Sequence, residues 1–245
     1  MTRKQYFSSG LKDGMPICFG YFAVSFAFGI QAAGIGLSVF EASVLSALNV
    51  TSAGQFAALA IIASGASLIE LAFTQLIINL RYFLMSCALS QKLSPSLPLG
   101  HRLGIAYGMT DEIFAVSVSQ REPLSPFYSY GLIAVAIPGW VLGTALGAAA
   151  GNILPAVLTN ALGIAIYGMF IAIILPPAKE NRVVAGVVVL SMVLSALFTY
   201  LPVLCNISSG FRIIVITLII AGGAALLFPI PDEPAEPEKE MPHES

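Results

Sequence analysis

The sequence predicts an all-α, polytopic integral membrane protein with seven or eight transmembrane helices, some of them broken or re-entrant, and three observations predict it. Of its 245 residues, 57% are hydrophobic and 10% charged, against about 45–50% and 25% in ordinary soluble domains. The apolar residues gather in runs of about twenty, the length a helix needs to cross roughly 30 Å of hydrocarbon. The stretches between runs are short, which leaves no segment for a sizeable soluble domain.

Low-charge runs fall near residues 15–35, 41–64, 67–89, 128–150, 155–176, 183–204 and 211–229. An eighth segment, 103–120, has span length but holds Asp111 and Glu112 at its centre. It reads either as a crossing or as an amphipathic surface helix with both acids in water. The expected organisation is a cytoplasmic N-terminal segment at 1–14, a transmembrane domain at 15–229, and a proline-rich, acidic tail at 230–245 expected to be disordered. The basic start followed by an apolar stretch resembles a secretory signal, but with many spans following it reads as a retained first helix.

The net charge of −2 conceals a split, because the tail carries six acids against Lys239 and leaves the rest of the chain net positive. No basic stripe interleaved with aromatics points to nucleic acid. Cys18, Cys87 and Cys205 lie far apart in apolar runs, so neither a disulfide nor a metal cluster is expected, and no cofactor is implied. His101 and His243 sit in a loop and in the tail and read as surface side chains. Lys and Arg near span ends favour the cytoplasmic side, so Arg3, Lys4 and Lys12 place the N-terminus inside. With eight crossings, Lys92 and Arg102 would fall outside; if the second and fourth segments are re-entrant or broken, the 90–102 loop returns to the cytoplasm.

Two patterns concern helix packing. Gly139, Gly143, Gly147 and Gly151 recur every fourth residue, a stripe that lets another backbone approach closely in lipid. A faint internal echo, QFAALAII at 55–62 against MFIAIILP at 169–176 and AFG at 27–29 against VLG at 141–143, has one offset of 114. Duplicated halves are common in transporters, though apolar helices also match by chance.

Polar residues inside the spans mark candidate sites. Asn49, Thr51, Ser52, Gly54 and Gln55 cluster in mid-span, and Ser52 with Gln55 fits a capping box at the start of a half-helix. Such a start would aim free N–H groups and the positive end of a helix dipole at a substrate carboxylate. The alternative is a continuous helix whose Ser and Thr bond back to the preceding turn. On the next span Glu70, Thr74 and Arg81 share a face, with Gln75 and Asn79 opposite. Glu70 and Arg81 lie about 16 Å apart along the helix and cannot pair. Glu70 reads as solvated near a membrane end. Arg81, close to mid-span, needs a partner, and Asp111 or Glu112 is the candidate.

The segments GMPICFGYFAVSFAFG, LNVTSAGQFAALAI, LIINLRYFLMS and TDEIFAVS, in this order, closely resemble the AzlC family of bacterial membrane proteins across about residues 8–229. The most specific pieces are Ala53-Gly54-Gln55-Phe56, Asn79-Leu80-Arg81 and Thr110-Asp111-Glu112; Ser52 stands where many relatives have Ala. The resemblance implies the large subunit of a two-component exporter of branched-chain amino acids, multi-pass in the bacterial inner membrane and paired with a small multi-span partner, AzlD. On that reading Thr51, Ser52, Gly54, Gln55 and Asn79 bind substrate. Arg81, Asp111 and Glu112 couple transport to protons and gate the path. Export of another small apolar compound such as methionine is an alternative, as is a channel or structural subunit whose partner carries the path. No HExxH or GxSxG motif occurs, so an intramembrane enzyme is not expected.

Overall fold

The computed structural model describes residues 2–120, 123–151, 153, 171, 174–201, 204 and 206–228. Its helices with both ends among the described residues are α1 (Arg3–Gly34), α2 (Val39–Leu48), α3 (Ser52–Ala63), α4 (Leu68–Gln91), α5 (Leu99–Tyr107), α6 (Asp111–Val118), α7 (Pro126–Gly151), α8 (Arg182–Tyr200) and α9 (Ser209–Leu227). There is no strand among the described residues. Five helices, α1, α4, α7, α8 and α9, are long and apolar enough to cross a membrane, so the chain is an all-α polytopic membrane protein. Most of the expected 155–176 span, and with it most of the echo of 55–62, falls outside the described residues, as do Cys205 and the acidic tail.

The scaffold is the pair α1 and α7, which run parallel in contact along their length. A methyl group on Gly131 would stand 2.9 Å from Gly10 Cα, one on Gly139 3.0 Å from the Cys18 carbonyl oxygen, one on Gly143 3.0 Å from Phe22 Cα and one on Gly151 3.2 Å from Ile30 Cα. The contacts climb both helices together, which fixes the parallel direction. The four-residue glycine stripe therefore serves backbone-to-backbone packing.

The second and fourth apolar segments are broken, at 49–51 and at 108–110. Both are re-entrant. α2 starts just past the end of α1, and α3 returns to that end: Phe56 packs edge-on against Phe28 with ring centroids 5.5 Å apart, and Leu59 clusters with Phe28, Ala32 and Ala42. Gly36 and Gly65, at φ +91° and +66°, make the tight turns that end α1 and α3 on this face. In each turn a serine two residues later caps the next helix: Ser38 accepts from Glu41 N, and Ser67 from Glu70 N.

The α5–α6 hairpin enters from the opposite side. α4 delivers the chain to the face where α1 begins, here the N-face, and α6 comes back to it, since Lys92 Nζ donates to the Val118 carbonyl at 2.6 Å and Leu124 N to that of Lys92 at 2.9 Å. Near the same face Tyr128, at the start of α7, donates to Asp13 at 2.7 Å. Two short hairpins thus reach inward from opposite faces and meet tip to tip.

This topology removes the charge conflict that eight crossings would create. Lys92 and Arg102 lie on the N-face with Arg3, Lys4 and Lys12. α9 begins on the far face, where Gly210 N donates to Glu70 Oε1 at 2.9 Å, and runs back toward the N-face. The preceding α8 runs opposite to it, which puts Lys179 and Arg182 on the N-face too. Glu70 is therefore not solvated: it is 6% exposed and caps the first turn of α9.

Candidate functional site

The two tips border one narrow cleft. Val50 and Ser52 from the first hairpin, Thr110, Asp111 and Glu112 from the second, and Tyr21, Tyr82 and Trp140 from the long helices line it. Its volume is about 20 Å³, room for about one water. Lengths place it near mid-bilayer: each arm has 8 to 12 residues, or about 12–18 Å at 1.5 Å per residue, roughly half the hydrocarbon core.

The first tip is neutral and rich in amides. The N-cap of α3 is Thr51, one residue before the sequence-based expectation, and no side chain caps that end. The expected Ser52–Gln55 capping box does not form, because Ser52 is already inside the helix and Gln55 turns into the core. Thr51 Oγ1 donates instead to Asn49 Oδ1 at 3.1 Å. Asn49 and Asn79 both donate to Gln75 Oε1 at 3.2 Å, and Gln75 Nε2 donates to the Gly54 carbonyl at 2.8 Å. A Cβ on Gly54 would stand 2.6 Å from Gln75 Oε1, so this glycine provides close approach to α4 rather than flexibility. Asn79 Oδ1 is buried without a partner.

Gln55 is fully buried and belongs to a chain of hydrogen bonds behind the tip. It accepts from Trp140 Nε1 at 2.8 Å and donates to Ser46 Oγ at 2.9 Å, which is 2.6 Å from Thr144 Oγ1. These bonds tie α2 and α3 to α7.

The second tip is acidic. Thr110 caps α6, its hydroxyl accepting from Ile113 N, so Asp111 and Glu112 occupy the first turn at the positive end of a half-helix rather than the centre of a continuous one. Arg81 Nη2 meets Asp111 Oδ2 at 3.0 Å, with the two side chains 42% and 40% exposed. Arg81 also lies 4.9 Å from the Tyr82 ring centroid and donates to its hydroxyl at 3.2 Å. Glu112 takes the other direction, accepting from Tyr21 at 2.6 Å. Tyr21 also reaches Thr110 Oγ1 at 2.5 Å, and Tyr107 of the second hairpin donates to the Ala47 carbonyl at the end of α2.

Of the residues singled out from sequence, Ser52, Asp111 and Glu112 line the cleft, and Arg81 reaches it through Asp111. Thr51 and Gly54 at the start of α3 and Asn79 on α4 stand one layer back, and Gln55 stands behind Trp140. Tyr21, Tyr82 and Trp140 were not singled out. The available signal was a hydroxyl or an indole N–H within an apolar span, where each must find a partner.

Comparison with known proteins gives this arrangement a family. The model of the family described as AzlC protein matches residues 16–154, more than half of the chain. The chain belongs to the AzlC family. Among AzlC-type relatives it is 35% identical over 189 residues to an uncharacterized membrane protein of Archaeoglobus fulgidus, covering 76% of this chain and 83% of that protein. It is 31% identical over 184 residues to the inner membrane protein YgaZ of Escherichia coli K12, covering 72% and 75%. No solved structure matches it significantly. The matched region contains both hairpins and the whole cleft, and membership is consistent with a membrane transport subunit.

Proposed function

We propose that this AzlC-family chain is the large subunit of a proton-coupled exporter of branched-chain amino acids, valine, leucine and isoleucine, acting with a small AzlD-like partner in the bacterial inner membrane with its N-face cytoplasmic. The observation that carries the proposal is the meeting of an uncapped helix start and an acidic helix start across one cleft. An amino acid presents a carboxylate, an ammonium and an apolar side chain. The free N–H groups at the start of α3, with Ser52, suit the carboxylate. Glu112 and Asp111 suit the ammonium, and Val50, Tyr21, Tyr82 and Trp140 offer an apolar wall.

A cleft with room for one water does not admit valine, so cargo enters when the tips separate. Arg81 and Asp111 form the latch: protonating Asp111 removes the charge that holds Arg81, and the second hairpin is released toward one face. Thr51, Gly54, Gln55 and Asn79 hold the first tip in position for the substrate. The excess of basic residues on the N-face supports the cytoplasmic assignment.

The test is valine efflux from proteoliposomes containing the chain with its small partner, with and without a proton gradient. Efflux driven by the gradient is expected, with the gradient dependence lost in Asp111→Asn. Efflux indifferent to the gradient in the unaltered protein, or equally driven in Asp111→Asn, would overturn the coupling. Efflux with the partner alone would favour the reading of this chain as a structural subunit.

A further inference from the structure

We propose that the groove between α4 and α5 binds an anionic phospholipid, its headgroup phosphate on Arg102 and one acyl chain lying along the groove toward the hairpin tip. This site is separate from the central cleft and does not depend on which cargo the cleft carries.

The groove has a volume of about 230 Å³ and is lined from α4 by Phe83, Cys87 and Leu89, and from the second hairpin by Leu103, Ala106 and Met109. Phe83 and Leu103 are 65% and 61% exposed, so it opens sideways to the bilayer. The Ser90 hydroxyl, also on the wall, is turned back onto the Cys87 carbonyl at 2.7 Å. From Arg102 to Met109 the groove follows α5 for about 10 Å, a third of the roughly 30 Å hydrocarbon core. It starts at the N-face and ends beside the 108–110 break. An acyl chain hanging from an interfacial headgroup has this geometry, whereas a soluble anion has no use for the apolar part.

Arg102 supplies the charge. Its Nε donates to the Leu97 carbonyl at 3.3 Å and its Nη2 to that of Ser94 at 3.0 Å. These two carbonyls aim the guanidinium without neutralising it. Among the described residues it has no carboxylate within ion-pair distance. The planar fork keeps further donors for phosphate oxygens. Arg3, Lys4 and Lys12 share the N-face, so a lipid of net negative charge is favoured over a zwitterionic one, as for basic pockets between helices on the cytoplasmic side. A lipid seated here braces α5 against α4.

The experiment is native mass spectrometry of the full chain released from vesicles of equal parts phosphatidylglycerol and phosphatidylcholine. The unaltered protein should retain phosphatidylglycerol at least about fivefold over phosphatidylcholine, the ratio of roughly one favourable basic contact. Arg102→Gln should lose that preference, and Arg102→Lys should keep part of it. Ala106→Phe, at an exposed position inside the groove, should reduce retained lipid of both kinds with Arg102 intact. If Arg102→Gln fails to fold, the lysine and phenylalanine variants carry the test. Equal retention of the two lipids, unchanged retention in Ala106→Phe, or displacement of the lipid by inorganic phosphate would each overturn the site.

Discussion

The two hairpins share one design, but one tip is neutral and the other acidic. Each breaks over three residues, at 49–51 and 108–110, and each has threonine as the N-cap of its second arm. The first tip holds only amides and hydroxyls and leaves its helix end uncapped, whereas the second fills its first turn with Asp111 and Glu112. They also differ in how they are held. The first is tied to α7 by the fully buried Trp140–Gln55–Ser46–Thr144 chain, while the second is tied to α1 through Tyr21 on Thr110 and Glu112 and meets α4 through an Arg81–Asp111 pair about 40% exposed. Buried, satisfied polar chains are costly to disrupt, and half-exposed ion pairs contribute little. The difference teaches that the second hairpin, unlike the first, is held in part by a contact that a change of charge can break.

Breaking that contrast begins with Gln55. Gln55→Leu orphans the Trp140 N–H in the core and should lower stability by about 1–3 kcal/mol, read as a fall in the unfolding midpoint in detergent. A smaller loss is expected on the wall that supports the first hairpin. Glu70→Gln removes the charge on the first turn of α9 and should cost about 0.3–1 kcal/mol, measured the same way. Smaller again is the latch: Arg81→Gln and Asp111→Asn should each change stability by under about 1 kcal/mol, yet alter the gradient dependence of efflux. A double-mutant cycle on efflux should show the pair coupled. The least effect belongs to Glu41→Gln, whose exposed carboxylate closes a local capping box with Ser38, and its midpoint should be indistinguishable from that of the unaltered chain.

Much of this was legible in the sequence. Helix-long apolar runs announced the membrane, the crowding of Asn49, Thr51, Ser52, Gly54 and Gln55 announced a break, and the solvation penalty on Arg81 demanded an acid. The break in the fourth segment was harder to place, because Asp111 and Glu112 at the centre of a span-length run look alike whether the helix continues or restarts. The direction of the arms was not legible: a 24-residue apolar run is as long as a crossing, and what turns it back is the contact of Phe56 with Phe28, far apart in sequence. The cap moved from Ser52 to Thr51 because either hydroxyl suits an N-cap locally, and the inward pull on Gln55 comes from Trp140 and Ser46. Glu70 and Glu41 occupy the same place in two Gly-x-Ser-x-x-Glu turns, and only the arrival of α9 separates their fates. Tyr21 and Trp140 pass for ordinary span aromatics until their partners are seen.

Re-entry of the first hairpin, which sets the side of every later segment, is the claim on which the cleft depends, and single-cysteine labelling tests it most directly. In a background with Cys18, Cys87 and Cys205 replaced, cysteines placed at Ser38, Ser64 and Ser96 are exposed to a membrane-impermeant thiol reagent from one side at a time. The account predicts that Ser38 and Ser64 label from one side and Ser96 from the other, together with the N-terminus. Labelling of Ser38 and Ser64 from opposite sides would mean that α2 and α3 cross the bilayer, and would contradict it.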